Sequence, residues 1–124
     1  MNALCRMIEA VRPGGLILDL QVIRPNPEIE LNGSVVAEID GEPLFRWADA
    51  ATAAIDARIA AGDLAEEAID DHEVSEHYAD GAELIEDFAG SKRRIPDEAI
   101  PRLSVIVEPL ATREFCRLRR LRIL

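Results

Sequence analysis

The residues of this chain that can do chemistry are few and scattered. His72-Glu73 and Glu76-His77 bring two imidazoles and two carboxylates close together in sequence. The zinc-binding H-E-x-x-H pattern works because histidines at i and i+4 share a helix face. Here the spacing is i+5, which separates them on a helix and puts them on opposite faces of a strand, so a structural role is the better reading and no metal is expected. Between residues 60 and 91 stand eleven acids and no Lys or Arg. They lack the glycine and ligand order of a calcium loop and read as a solvated face. Cys5 and Cys116 form no metal spacing and have no sequence neighbour suited to nucleophilic catalysis; two thiols in a reducing compartment are the preferred reading, with a single bridge as the alternative. No G-x-G-x-x-G loop follows any apolar run. What remains is Asp19 and Gln21, at the end of an apolar stretch expected to be a parallel strand. Open α/β sheets place ligands at that edge, so the two are the candidate substrate-binding residues; an Asp satisfied by backbone or solvent explains Asp19 equally well. No residue is assigned a catalytic or cofactor-binding role.

Those two side chains need a scaffold, and the pattern around them supplies one. Leu4, Met7, Ile8 and Val11 recur at the spacing that lines one helical face. Pro13 stops the helix, and Gly14 or Gly15 can take the positive φ of a tight helix-to-strand turn. Leu16 to Leu20 is then a nearly unbroken apolar run, as in a strand covered on both faces. Arg24-Pro25-Asn26-Pro27 reads as a turn. Asn32-Gly33 lies between Ile29-Glu30-Leu31 and Val35-Val36-Ala37-Glu38-Ile39, the strongest short-range hairpin signal. A two-residue turn sets Ile29 opposite Val36. Asp40-Gly41 offers a second turn toward Leu44-Phe45, so 28–45 reads as a three-stranded meander or a hairpin with an extended tail.

Residues 48–61 are alanine-rich and helical, with Ala48, Ala51, Ile55 and Ile59 on one stripe and Gly62 at the end. The alternation of His72, Val74 and Tyr78 suggests a strand within 66–78 despite its acid content. Asp80 and Glu83 form a helix start in which Asp80 caps and Glu83 reaches back; Leu84, Ile85 and Phe88 face inward and Gly90 closes the helix. Lys92, Arg93 and Arg94 follow that helix end. Pro96-Asp97-Glu98 fits the first turn of another helix, with Ile100, Leu103 and Val107 inward and Pro101 shortening it. A long strand runs from about Thr112 to the end.

The segment Val11-Arg12-Pro13-Gly14-Gly15, closing a helix and followed by Leu16-Ile17-Leu18-Asp19, resembles the segment before the fifth strand of class I S-adenosylmethionine-dependent methyltransferases. The run from Thr112 to Arg122, Thr-Arg-Glu-Phe-Cys-Arg-Leu-Arg-Arg-Leu-Arg, resembles the closing strand of bacterial members of that family. The resemblance covers nearly the whole chain but only the C-terminal part of the family's domain. It implies that the cofactor-binding half is absent, that Pro13, Gly14 and Gly15 are the structural motif, and that Asp19 and Gln21 lie where the family shapes its acceptor pocket. It also implies that S-adenosylmethionine is bound only if a partner supplies the missing half. The glycines here precede the strand, whereas the family's cofactor loop follows its first strand.

Length and composition agree with one domain over 1–124. Aromatics are only 4% of the residues, so the core must be built from Leu, Ile, Val and Ala. The formal net charge is −10, yet residues 112–124 hold five arginines against one glutamate. The acidic field disfavours nucleic acid and anionic membranes as partners. No apolar run is long enough for a membrane span, and no secretory signal is visible, so a cytoplasmic location is expected.

The expected fold is mixed α/β: a partial Rossmann-like methyltransferase sheet, part parallel and part antiparallel, with an inserted β-hairpin and flanking helices. The strand at 16–22 lacks the neighbour that the missing half would provide, and an unpaired edge is prone to association. A homo-oligomer, most simply a dimer, or a partner chain at that edge is therefore expected. Three functions follow: a non-catalytic binding or assembly module left from a methyltransferase, one half of a split or truncated enzyme, or an independent small-molecule binder with its pocket between the hairpin and the alanine-rich helix.

Overall fold

The last strand, β5 (Leu110–Ile123), is the axis of the sheet, paired with three of the other four strands. The computed structural model describes residues 3–124. Before β5 come α1 (Ala3–Ala10), β1 (Leu16–Val22), β2 (Glu28–Leu31), β3 (Ser34–Glu38), α2 (Glu42–Ala60), β4 (Leu64–Tyr78), α3 (Gly81–Phe88) and, after a 3₁₀ turn at Asp97–Ala99, α4 (Ile100–Ser104). β4 pairs with β5 along its whole length, from Leu64 opposite Ile123 to Tyr78 opposite Leu110. On its other side β5 takes β1 over residues 116–122 and β2 over 111–113, and β3 closes on β2. The architecture is mixed α/β, an open five-stranded antiparallel sheet with four helices.

The expected parallel portion does not form as a pairing. β1 and β4 run the same way, but β5 inserts between them in the opposite sense, so each ladder is antiparallel. The hairpin does follow β1, with Asn32 at φ 51° and Gly33 at φ 80°, the two left-handed positions of a type I′ turn. Its register departs by one residue. A bulge at Ile29/Glu30 sets Ile29 opposite Ala37, not Val36, which lets Ile29, Ala37 and Ile39 all reach the core. The expected third strand is absent, because Leu44 and Phe45 belong to the first turns of α2. Pro43 sits where a helix tolerates it best, and burial of Phe45 holds that end down.

The strand within 66–78 is longer than its acid content suggested, because β5 answers that acid with arginine. Arg117 forks onto Asp71 at 2.7 and 2.9 Å, Arg122 onto Glu67 at 3.2 and 3.0 Å, and Arg113 reaches Glu73 at 2.9 Å. The Arg117 hydrogen bond holds the Asp71 carboxyl below its usual range, and Arg122 does the same for Glu67. Two regions of opposite charge in the sequence thus become one cross-strand ladder.

Two apolar clusters lie on opposite faces and opposite ends of the sheet. One joins Ile29, Ile39, Leu84, Phe88, Leu103 and Leu110 beneath α3 and α4. The other joins Ile17, Ile55, Leu64, Leu121 and Ile123 beneath α1 and α2. Asp80 caps α3 by accepting from the Glu83 amide at 2.9 Å, and Glu83 reaches back to the Ala79 amide at 2.7 Å. After Pro101 the helix α4 ends at Ser104, so Val107, expected inward, is 79% exposed.

Candidate functional site

β1 has its polarity reversed, and that reversal builds the site. Side chains alternate across a strand, so Ile17, Asp19 and Gln21 face α1 and α2 while Leu16, Leu18 and Leu20 face out. The leucines are 44%, 66% and 58% exposed. The apolar run does not belong to a strand covered on both faces, as the sequence suggested. Its outer face is bare because α3 and α4 cover the other end of the sheet. The turn Pro13-Gly14-Gly15 fixes this register. Gly14, at φ 82°, donates to Ile123 O at 2.8 Å, and the Ile123 amide donates to Gly15 O at 2.9 Å. A Cβ on Gly15 would stand 2.2 Å from Val11 Cγ1, so helix and strand meet there with no room to spare.

On the inner face a cleft of roughly 400 Å³ opens between α1, β1 and α2. Leu4 and Met7 come from α1, Ile17 from β1, and Ala51, Ala54 and Ile55 from α2. The alanines are the cause. Methyl groups on the inner stripe of α2 cannot fill the space that α1 holds open, so a gap is left where larger side chains would have packed. Sequence reasoning placed a pocket between the hairpin and this helix. The hairpin packs instead into the cluster under α3 and α4, and the gap lies beside β1.

Asp19 and Gln21 both line this cleft. Gln21 Nε2 donates to Asp19 Oδ1 at 2.7 Å, and Asp19 Oδ2 is buried without a hydrogen-bond partner. The two are therefore together, though on an antiparallel strand and within its length, not beyond the carboxyl end of a parallel one. Next to them sequence reasoning missed Arg119. It stands directly opposite Asp19 on β5, is 7% exposed, and donates to Asp56 Oδ1 at 3.0 Å and Glu66 Oε2 at 2.6 Å. The clue in the sequence was Ile17-Asp19-Gln21 against Leu16-Leu18-Leu20: a strand that must bury one of these faces has an uncommon choice to make.

Other candidates do not converge. His72 and His77 fall on opposite faces of β4, and among the described residues no group of three or more His, Cys, Asp or Glu is placed to hold a metal ion. Cys116 is buried on β5, and burial pushes its thiol up while nearby Arg93 draws it back; a protonated, enclosed thiol is a poor nucleophile. Cys5 Sγ accepts from Arg58 Nη2 at 2.8 Å, far along the chain from Cys116. Arg93 pairs with Glu114 and lies 4.7 Å over the Phe88 ring, which ties the segment after α3 to β5. No described helix is long and apolar enough to cross a membrane. No family model, curated protein or solved structure matches the chain.

Proposed function

We propose that this chain is a non-catalytic binding and assembly module, related to the C-terminal part of a methyltransferase domain, that joins a second copy of itself through β1. The observation that carries this reading is β1 itself. Among the described residues it pairs with β5 alone, and it turns three leucines to solvent beside its open edge. Unpaired strand edges with apolar flanks associate unless something guards them. The other long edge is guarded: β4 carries Glu66, Glu67, Asp70, Asp71, Glu73 and Glu76. β1 carries Asp19 as its one charge. Antiparallel pairing of two β1 strands about Leu18 sets Leu16 across from Leu20 of the other copy and Ile17 across from Asp19. Pairing about Asp19 would put two carboxylates face to face, which disfavours that register.

Sedimentation velocity across a wide concentration range tests it. The wild type forms a dimer, and L18K/L20K, two changes at exposed positions, leaves a folded monomer. A wild type that stays monomeric at the highest concentration sinks the proposal. If a separately encoded chain supplies a cofactor-binding half, S-adenosylmethionine binds only to the mixed pair. Titration of this chain alone with the cofactor then gives no heat, and saturable one-to-one binding would overturn the non-catalytic reading.

A second reading is favoured by the cleft: a small-molecule binder whose site lies between α1, β1 and α2. Its volume falls within the range of ligand pockets, and its lining is mainly apolar with two convergent polar side chains.

A further inference from the structure

We infer that the cleft between α1, β1 and α2 takes a small organic ammonium ion, an amine carried on a compact aliphatic body. This rests on the small-molecule reading of the cleft and names its ligand class. Two features of the site combine. The walls given by Leu4, Met7, Ile17, Ala54 and Ile55 offer aliphatic surface and no aromatic ring or cation. The polar part is a carboxylate with one oxygen held by the Gln21 amide at 2.7 Å and the other buried without a donor. A carboxylate in that condition lacks a hydrogen-bond donor, and a charged donor satisfies it best.

The charges around Asp19 point the same way. The nearest cation by register, Arg119, is engaged by Asp56 at 3.0 Å and Glu66 at 2.6 Å. The group of Asp19, Arg119, Asp56 and Glu66 therefore carries a formal excess of negative charge, before the acidic surface as a whole is counted. An anion entering the cleft meets no free cation; a neutral hydroxyl can donate to Asp19 but brings no charge to offset the negative excess. An ammonium group gains the walls and gives Asp19 a charged donor. Gln21 has a distinct role here. Its Nε2 fixes one carboxylate oxygen, leaving a single preferred direction for the ligand's N–H.

The test uses three probes of one shape: cyclohexylmethylamine, cyclohexylmethanol and cyclohexanecarboxylate. Binding to the whole chain is followed by the Gln21 side-chain amide and the Ala51 and Ala54 methyl signals in NMR titrations at pH 7. Amine and alcohol can both donate to Asp19, but only the amine brings a positive charge, so it is expected to bind about tenfold or more tightly than the alcohol, and the carboxylate least. D19N is expected to bring the amine's affinity down to the alcohol's while the alcohol still binds saturably, which a merely unfolded variant could not do. Equal affinity for amine and alcohol in the wild type overturns the ammonium inference and leaves the small-molecule reading standing. No shift with any of the three probes overturns both.

Discussion

Asp19 and Arg119 face each other across β1 and β5, and the arginine turns away from the aspartate to bind Asp56 and Glu66. A cross-strand pair of opposite charge in direct opposition normally closes. Here α2 presents Asp56 and β4 presents Glu66 on the far side, and two carboxylates outcompete one. Asp19 is left with the Gln21 amide.

The carboxylate oxygen left without a donor makes Asp19 a stability liability in the empty protein. Replacing it by Asn removes a half-buried charge and keeps the shape. D19N is therefore expected to raise the urea midpoint, by about 1 kcal/mol of stability, in the way that binding-site residues often trade stability for function. A clear loss of stability in D19N would show that Asp19 is satisfied by something stronger than Gln21.

Freeing Arg119 should bring the two residues together. In D56N/E66Q the guanidinium loses both carboxylate partners while remaining buried, and Asp19 stands next to it. Urea denaturation of the cycle built on D19N is expected to show coupling of about 1–2 kcal/mol in the D56N/E66Q background that is absent in the wild type. R119A, by contrast, leaves carboxylates that reach solvent on one side, so its cost is held to about 2 kcal/mol, mostly lost packing and hydrogen bonds.

Much of the scaffold could be read from local signals. Asn32-Gly33 marked the hairpin, Asp80 with Glu83 marked the start of α3, and Pro13-Gly14-Gly15 marked the turn into β1. Each is a backbone requirement met within a few residues. What escaped were the relations between distant segments. Nothing near Glu66 says that Arg119 will neutralise it, since 53 residues separate them. Nothing within β1 says that the helices will take its polar face, because that choice is made by where α2 and β5 lie. The hairpin register failed for the same reason. The turn alone sets Ile29 against Val36, and the core overrules it by a bulge to bury Ile29 with Ala37.

Gly81 is fixed by its surroundings. An added Cβ would lie 1.7 Å from the backbone oxygen of Leu103, and the Gly81 amide donates to Ile106 O at 2.9 Å. The start of α3 is thus clamped against the end of α4 with no flexible side chain able to give way. G81A is expected to cost about 3 kcal/mol, at the upper end for overpacking, read as a fall in the urea midpoint. An unchanged midpoint would mean that the two helices can separate freely.

The arginine ladder should loosen in acid. Asp71 and Glu67 titrate below their ordinary values because of Arg117 and Arg122. A carboxyl whose pKa is depressed on folding lends stability above its unfolded value and loses it as pH falls through the folded one. The contribution is therefore intact at pH 7 and declines below about pH 4.5 as these groups protonate. Comparing urea midpoints at pH 7 and pH 3 for the wild type and D71N/E67Q gives the sign. The wild type should lose more than the variant, whose substituted side chains carry no charge to lose. A larger loss in the variant would place the acid sensitivity elsewhere.

Salt should act on association in the opposite direction from its effect on the ladder. Each chain carries a formal charge of −10, so two copies meeting at β1 repel one another through their acidic surfaces. Screening shortens that repulsion, the Debye length falling from about 10 Å at 0.1 M to about 3 Å at 1 M. Leucine contacts and strand hydrogen bonds are little affected over that range. The proposed dimer is therefore expected to tighten as sodium chloride rises, measured by sedimentation equilibrium, while L18K/L20K stays monomeric throughout. Weakening with salt would point to ion pairs, not the leucine face of β1, as what holds the copies together.

The single tyrosine gives a direct report on the far end of the sheet. Tyr78 Oη donates toward Asp87 Oδ2 at 2.6 Å and lies 2.9 Å from Glu76 Oε2, and burial followed by these two carboxylates pushes its pKa well above the ordinary phenol value. Ionising it would place a third negative charge beside two others. As the only tyrosine, it can be followed by phenolate absorbance without interference from another. The folded chain should show no phenolate at pH 10.5, where the same chain in concentrated urea is mostly ionised, since a free tyrosine titrates near 10. D87N removes one acceptor charge and should bring the titration down toward that value. Because the folded pKa is raised, the phenol's contribution to stability is fully present below about pH 10 and is lost only above it. A folded chain that titrates like the unfolded one would show that Tyr78 is not held between α3 and β4 as its contacts require.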